Sequence, residues 1–80
     1  MDYDTDKVDD AVLALLALTV HEEDAFGARS WKGHDWKALN RLHERGMIGD
    51  PKSKAKSVVL TPAGLAKSRE LFERLFGKEA

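Results

Sequence analysis

The chain contains no cysteine. Disulfides and thiolate metal centres are therefore excluded, and the reducing cytoplasm is the expected location. Long apolar runs are missing too. The longest, Ala11 to Leu18, falls far short of the roughly 20 residues a membrane span needs, so no membrane partner is expected. Asp9 and Asp10 precede it where a secretory signal would carry bases, and a signal peptide is not expected. Absent as well are a Gly-x-Ser-x-Gly elbow, a phosphate-binding glycine loop and a dinucleotide fingerprint. No catalytic residue is expected, and the chain is not read as an enzyme. His21-Glu22-Glu23-Asp24 begins like a His-Glu-x-x-His zinc motif, but Ala25 stands where the second histidine would be. With no three ligands at a recognisable spacing, no metal site is expected.

Eighty residues make one domain, spanning 1–80. A chain this short buries only about 60% of the surface its unfolded form exposes. A small-molecule pocket would take volume from that thin core, so neither a cofactor nor a small-molecule substrate is expected. With 42% hydrophobic and 34% charged residues, the composition is nonetheless that of a globular chain.

Charge is plentiful and unevenly placed. The net charge is −1, but residues 1–28 hold eight acids and one base, whereas residues 29–56 hold eight bases and three acids. The chain is thus polarised along its sequence.

The first helix is expected from about Asp6 to Thr19, capped by Thr5 or Asp6, with Asp9 and Asp10 in its first turn. Ala11 to Leu18 is apolar nearly all round, which places this helix either at the centre of the domain or in an interface between two copies. His21 to Gly33 reads either as a short strand over Ala28–Lys32 or as a degraded helix. A second helix is capped by Asp35 and stopped by Gly46. Its apolar side carries Trp36, Ala38, Leu39 and Leu42, and its mostly basic outer side Lys37, Asn40, Arg41, Glu44 and Arg45. Met47-Ile48-Gly49 reads as a strand, Asp50 to Lys54 as a turn, and Lys56 to Leu60 as the returning strand of a hairpin. Thr61-Pro62 opens the last helix, with Leu65, Leu71, Phe72, Leu75 and Phe76 on its apolar side, an exposed Glu70–Arg74 pair, and a stop at Gly77.

Leu42-His43-Glu44-Arg45-Gly46-Met47-Ile48, followed by a basic turn and Val58-Val59-Leu60-Thr61-Pro62-Ala63-Gly64-Leu65, resembles the second half of bacterial winged-helix regulators over residues 36–76. Trp31-Lys32-Gly33-x-Asp35-Trp36 together with Ser53 to Thr61 is also similar to a family of short bacterial proteins of uncharacterised function. The resemblance implies an α+β winged-helix-like domain with three main helices and a β-hairpin wing. It also implies a transcription-regulator-like domain bound to double-stranded DNA. Lys37, Arg41, Arg45, Lys52, Lys54 and Lys56 are then the candidate nucleic-acid contacts. The pattern departs from that family before Asp35. The positioning helix of a helix-turn-helix would have to cross Gly27, and a glycine costs a helix about 1 kcal/mol against alanine.

Two other readings stand beside this one. The lysines of the turn also suit a solvated hairpin guarded against edge pairing. The apolar first and last helices also suit a protein-interaction or homodimerisation module without DNA binding. Trp31 and Trp36 are read as packing residues rather than a platform for unpaired bases, and His43 as partly buried.

Overall fold

The structure, a computed structural model, describes residues 1–78. Its elements run α1 (Thr5–Leu16) with a 3-10 turn (Ala17–Thr19), β1 (Val20–Asp24), β2 (Gly27–Trp31), α2 (Trp36–Glu44), β3 (Ser57–Leu60) and α3 (Pro62–Phe76). The class is α+β: three helices and one three-stranded antiparallel sheet of order β1-β2-β3.

Helix α1 starts earlier than expected because Asp4, and neither Thr5 nor Asp6, is its cap. The Asp4 carboxylate accepts from the N–H groups of Asp6 (3.0 Å) and Lys7 (3.2 Å). Much of its apolar surface is covered within the chain: α1 packs against both α3 and α2 and buries Val12, Leu13, Ala14 and Leu16, while Ala11 and Leu15 are partly buried. Of the last-turn carbonyls, those of Ala14 and Leu15 are served by the Ala17 N–H, and side chains serve the other two. Ser68 of α3 donates to the Leu13 carbonyl at 2.6 Å, and Ser30 of β2 donates to that of Leu16 at 2.7 Å.

Residues 20–31 form a hairpin, so the strand reading of Ala28–Lys32 holds and no helix precedes α2 there. The turn is held by the Asp24 carboxylate, which accepts the Phe26 N–H at 2.7 Å. Gly27 follows at φ +139°, and a Cβ there would lie 2.2 Å from the Leu60 carbonyl oxygen. Left-handed backbone and close strand approach thus both require glycine.

The expected wing is corrected. The returning strand is present as β3, but its main partner is β2, paired from Ala28↔Leu60 to Trp31↔Ser57. Residues 47–49 contribute only the Ile48↔Leu60 bridge and a hydrogen bond from the Gly49 N–H to the Val59 carbonyl. Leu60 is thus bridged to Ala28 on one edge of β3 and to Ile48 on the other, and residues 47–49, ending in glycine, extend the sheet no further than that bridge.

Helix α2 has its expected ends. Asp35 accepts from the Ala38 N–H at 3.0 Å, while Gly46 and Met47 return their N–H groups to the carbonyls of His43 and Leu42. Thr61 likewise caps α3, accepting from the Gly64 N–H at 2.9 Å, and its hydroxyl sits 2.8 Å from the Gly46 carbonyl and 3.1 Å from that of Met47. This clamp explains the glycine three residues on. A Cβ at Gly64 would fall 1.7 Å from the Met47 carbonyl oxygen. On α3 the ion pair differs from expectation: Glu70 faces Lys67 at 3.5 Å, not Arg74.

The core lies between α1, α2, α3 and the inner sheet face, where Ala28, Ala38, Leu39, Leu42, Ile48, Val58, Leu60, Leu65 and Leu71 join the α1 residues. Neither tryptophan belongs to it: Trp31 is 49% and Trp36 53% exposed. Trp36 is the first residue of its helix, where no preceding turn carries the apolar stripe onto the core. Trp31 alternates with buried Ser30 and so falls on the outer sheet face. His43 is exposed as well, its Nδ1 3.1 Å from the Ile48 carbonyl. No helix among the described residues is long and apolar enough to cross a membrane.

Candidate nucleic-acid interface

The six cations singled out from the sequence do not act alike. Arg41, partly exposed, forms a bidentate pair with Asp9 of α1, Nε to Oδ2 and Nη2 to Oδ1 both at 2.7 Å. Asp9 is only 1% exposed, so this pair bolts α2 to α1. Hydrogen bonding to that carboxylate, opposed by some desolvation, raises the guanidinium pKa above its ordinary value. Lys37 and Arg45 are exposed but lie eight positions apart, about 12 Å along the axis of α2. Lys52, Lys54 and Lys56 are exposed together in the segment between Gly49 and β3. Among the described residues, none of these five is in an ion pair.

Two more arginines are taken by acids of the N-terminal half. Arg69 of α3 binds Glu23 of β1 through both carboxylate oxygens, which lowers the Glu23 pKa and raises that of Arg69. Arg29 of β2 lies 3.8 Å from Glu22. The polarity of the sequence is therefore partly folded against itself, arginine on acid, and what remains uncompensated is largely lysine.

The lysine segment is shaped by Lys32, which belongs to the Trp31-Lys32-Gly33 motif but is not among the six expected contacts. Its ammonium donates to the carbonyls of Pro51 (2.8 Å) and Ser53 (2.6 Å), and its backbone N–H to that of Lys56 (3.0 Å). Pro51 is buried, and the Asp50 carboxylate accepts the Lys52 N–H at 2.9 Å. The one acid of the segment is thus turned into its own backbone.

Two aromatic groups flank this segment. The Lys32 ammonium stands 5.5 Å from the Trp36 ring centre, placing that indole beside residues 51–53. Trp31 pairs with Ser57 at the other end. A bulge in β1 between Val20 and Glu22 supplies His21, whose imidazole stacks on Trp31 at 4.1 Å with its Nε2 2.7 Å from the Ser57 hydroxyl. The sequence signal that could have exposed these rings was positional: an alternating strand residue and the first residue of a helix.

The outer sheet face also has two shallow concavities, of about 180 and 300 Å³, on either side of Arg29 and Val59. Among the described residues, no three or more His, Asp or Glu side chains are grouped to hold a metal ion.

A family model described as "Domain of unknown function (DUF6429)" matches residues 4–78. The chain is also similar to "Uncharacterized protein y4hR" of Sinorhizobium fredii (strain NBRC 101917 / NGR234). The two are 59% identical over 76 residues, covering 95% of this chain and 97% of that protein. No solved structure matches.

Proposed function

We propose, for a chain that belongs to the DUF6429 family of domains of unknown function, that it is a non-catalytic nucleic-acid-binding domain. The observation that carries this reading is the lysine segment 52–56, ordered by Lys32 and flanked by two half-exposed tryptophans. Phosphates supply the matching charge, and exposed indoles supply a surface for bases. The contacts are Lys52, Lys54 and Lys56, joined by Lys37. Arg45 is peripheral, and Arg41 supports α2 instead of touching the ligand. The reading is supported by the order α2–β3–α3, which resembles a winged-helix second half, although a β1–β2 hairpin precedes α2 where such regulators carry their positioning helix.

The test is a titration of labelled oligonucleotides, duplex and single-stranded, across salt concentration. If each of the three lysines meets one phosphate, replacing all three with alanine flattens the log K against log salt slope. The loss is about 2.7 for a duplex and about 2.1 for a single strand. Absence of salt-sensitive binding at low salt, or an unchanged slope in the variant, defeats the reading.

A second reading, self-association, is favoured by Leu75 and Phe76 at the end of α3, each close to half exposed, and by Leu18, 65% exposed after α1. Light scattering after size exclusion over a range of concentrations tests it. A strict monomer at the highest concentration removes it.

A further inference from the structure

We infer that the preferred ligand is a single strand with unpaired bases, held by its phosphates on Lys52, Lys54 and Lys56 and by base stacking on Trp36 and on the Trp31–His21 stack. This deepens the nucleic-acid reading and rests on it.

Three features point away from a duplex. A helix-turn-helix seats its recognition helix by means of the helix before it. In this chain residues 20–31 are a hairpin, so the helix braced against α2 is α1, joined through Asp9–Arg41 and not by the short turn of that motif. The residue best suited to reading guanine edges in a major groove is arginine, with its planar bidentate fork. Arg41, in the middle of α2, has that fork closed on Asp9. The segment's own cations are lysines, point charges that suit phosphates and carry no base code.

Two features point toward unpaired bases. A half-exposed indole in a domain short of core is unexpected unless its surface has a use, and here two of them border the same lysine segment. The imidazole of His21 already lies stacked on Trp31, which makes the outer sheet face a ready surface for a further planar ring. Inside a duplex the bases are stacked on one another and offer neither indole a face.

The chain has two tryptophans, so intrinsic fluorescence reports on this contact directly. The probes are oligothymidylate and oligouridylate of about 12 nucleotides, within the span one small domain covers, and a duplex of the same length. At low salt both single strands quench tryptophan emission and bind at least about 10-fold more tightly than the duplex, the range expected from stacking one base. Trp36→Ala weakens single-strand binding about 10-fold and Trp31→Ala comparably, and each loses more single-strand than duplex affinity. Trp36→Phe, which keeps a ring, retains most of the affinity and guards against a folding artefact. Equal or tighter duplex binding overturns this inference while leaving the nucleic-acid reading standing. So does single-strand binding that depends on the lysines but leaves both tryptophan variants and the emission unchanged. No binding to any of the three probes overturns both.

Discussion

Two parts of this molecule handle charge in opposite ways. At the junction of α1 and α2, Asp9 is buried and Arg41 closes on it with three hydrogen bonds, so the charges cancel and join two helices. At residues 50–56 a cation is also bonded to neighbours, but to neutral ones: the Lys32 ammonium binds backbone carbonyls, and three further lysines face solvent without acid partners among the described residues. The first arrangement removes charge from the surface, and the second concentrates it there. The lesson is that a count of basic residues on a helix or turn says little about a binding face until each partner is known. Arg41 looked like a contact by position and is a brace by geometry.

The largest effect is expected from breaking the first region. Asp9→Ala leaves a guanidinium without its partner against the core and should lower stability by about 2 kcal/mol. This is below the figure for a fully buried pair, because the Arg41 side chain still reaches water. In a domain of this size that is a fall in melting temperature on the order of 10 °C. Asp9→Ala should leave oligonucleotide affinity unchanged at temperatures where the fold persists. By contrast, replacing Lys52, Lys54 and Lys56 should change melting temperature by little and affinity by much, since exposed substitutions typically fall within about 0.5 kcal/mol.

Lys32→Met sits between these extremes. It removes two charge-assisted hydrogen bonds from residues 51 and 53, and the expected loss is about 1 kcal/mol of stability. The lysine segment loosens, so amide exchange at residues 50–56 should speed up more than elsewhere. Uniform exchange would mean that Lys32 does not order the segment.

The smallest effect concerns the exposed Glu23–Arg69 pair. The folded-state pKa of Glu23 is lowered, so its contribution to stability is present above the ordinary glutamate range. It is lost as pH falls through the lowered folded value. Glu23→Gln should therefore lower the melting temperature slightly near neutrality, and the difference from the parent should vanish in acid. A difference that grows in acid would reverse the assigned sign.

What could be read from the sequence was what is local. Asp35, Gly46, Thr61, Pro62 and Gly77 fix the ends of α2 and α3 through bonds to residues within a few positions, and these ends are where the pattern put them. The hairpin at 20–31 was not legible. His21 to Asp24 is acidic and poor in β-branched residues, and the loop Ala25-Phe26 lacks the Asn-Gly or Asp-Gly chemistry that marks a tight hairpin. It is held by pairing with β3, which arrives 26 residues or more later in the chain. Distance along the chain hid the candidate site as well. Arg41 meets Asp9 across 32 positions, and Lys32 meets Pro51 across 19. No periodicity over a few turns encodes such pairs. The tryptophans were misjudged because a helical wheel assigns a face to Trp36 but cannot see that the helix begins with it.

Residues 50–57, Trp31 and Trp36 are proposed to form one nucleic-acid-binding face. Amide and indole N–H chemical shifts, followed while an unlabelled oligothymidylate is titrated into the labelled protein, test it most directly. The amides of residues 50–57 and both indole N–H signals should move together with a single saturation curve, while those of the buried α1 residues Val12, Leu13, Ala14 and Leu16 stay in place. Shifts confined to α1, to the end of α3 or to the acidic β1 strand, or no shifts at all, would contradict it.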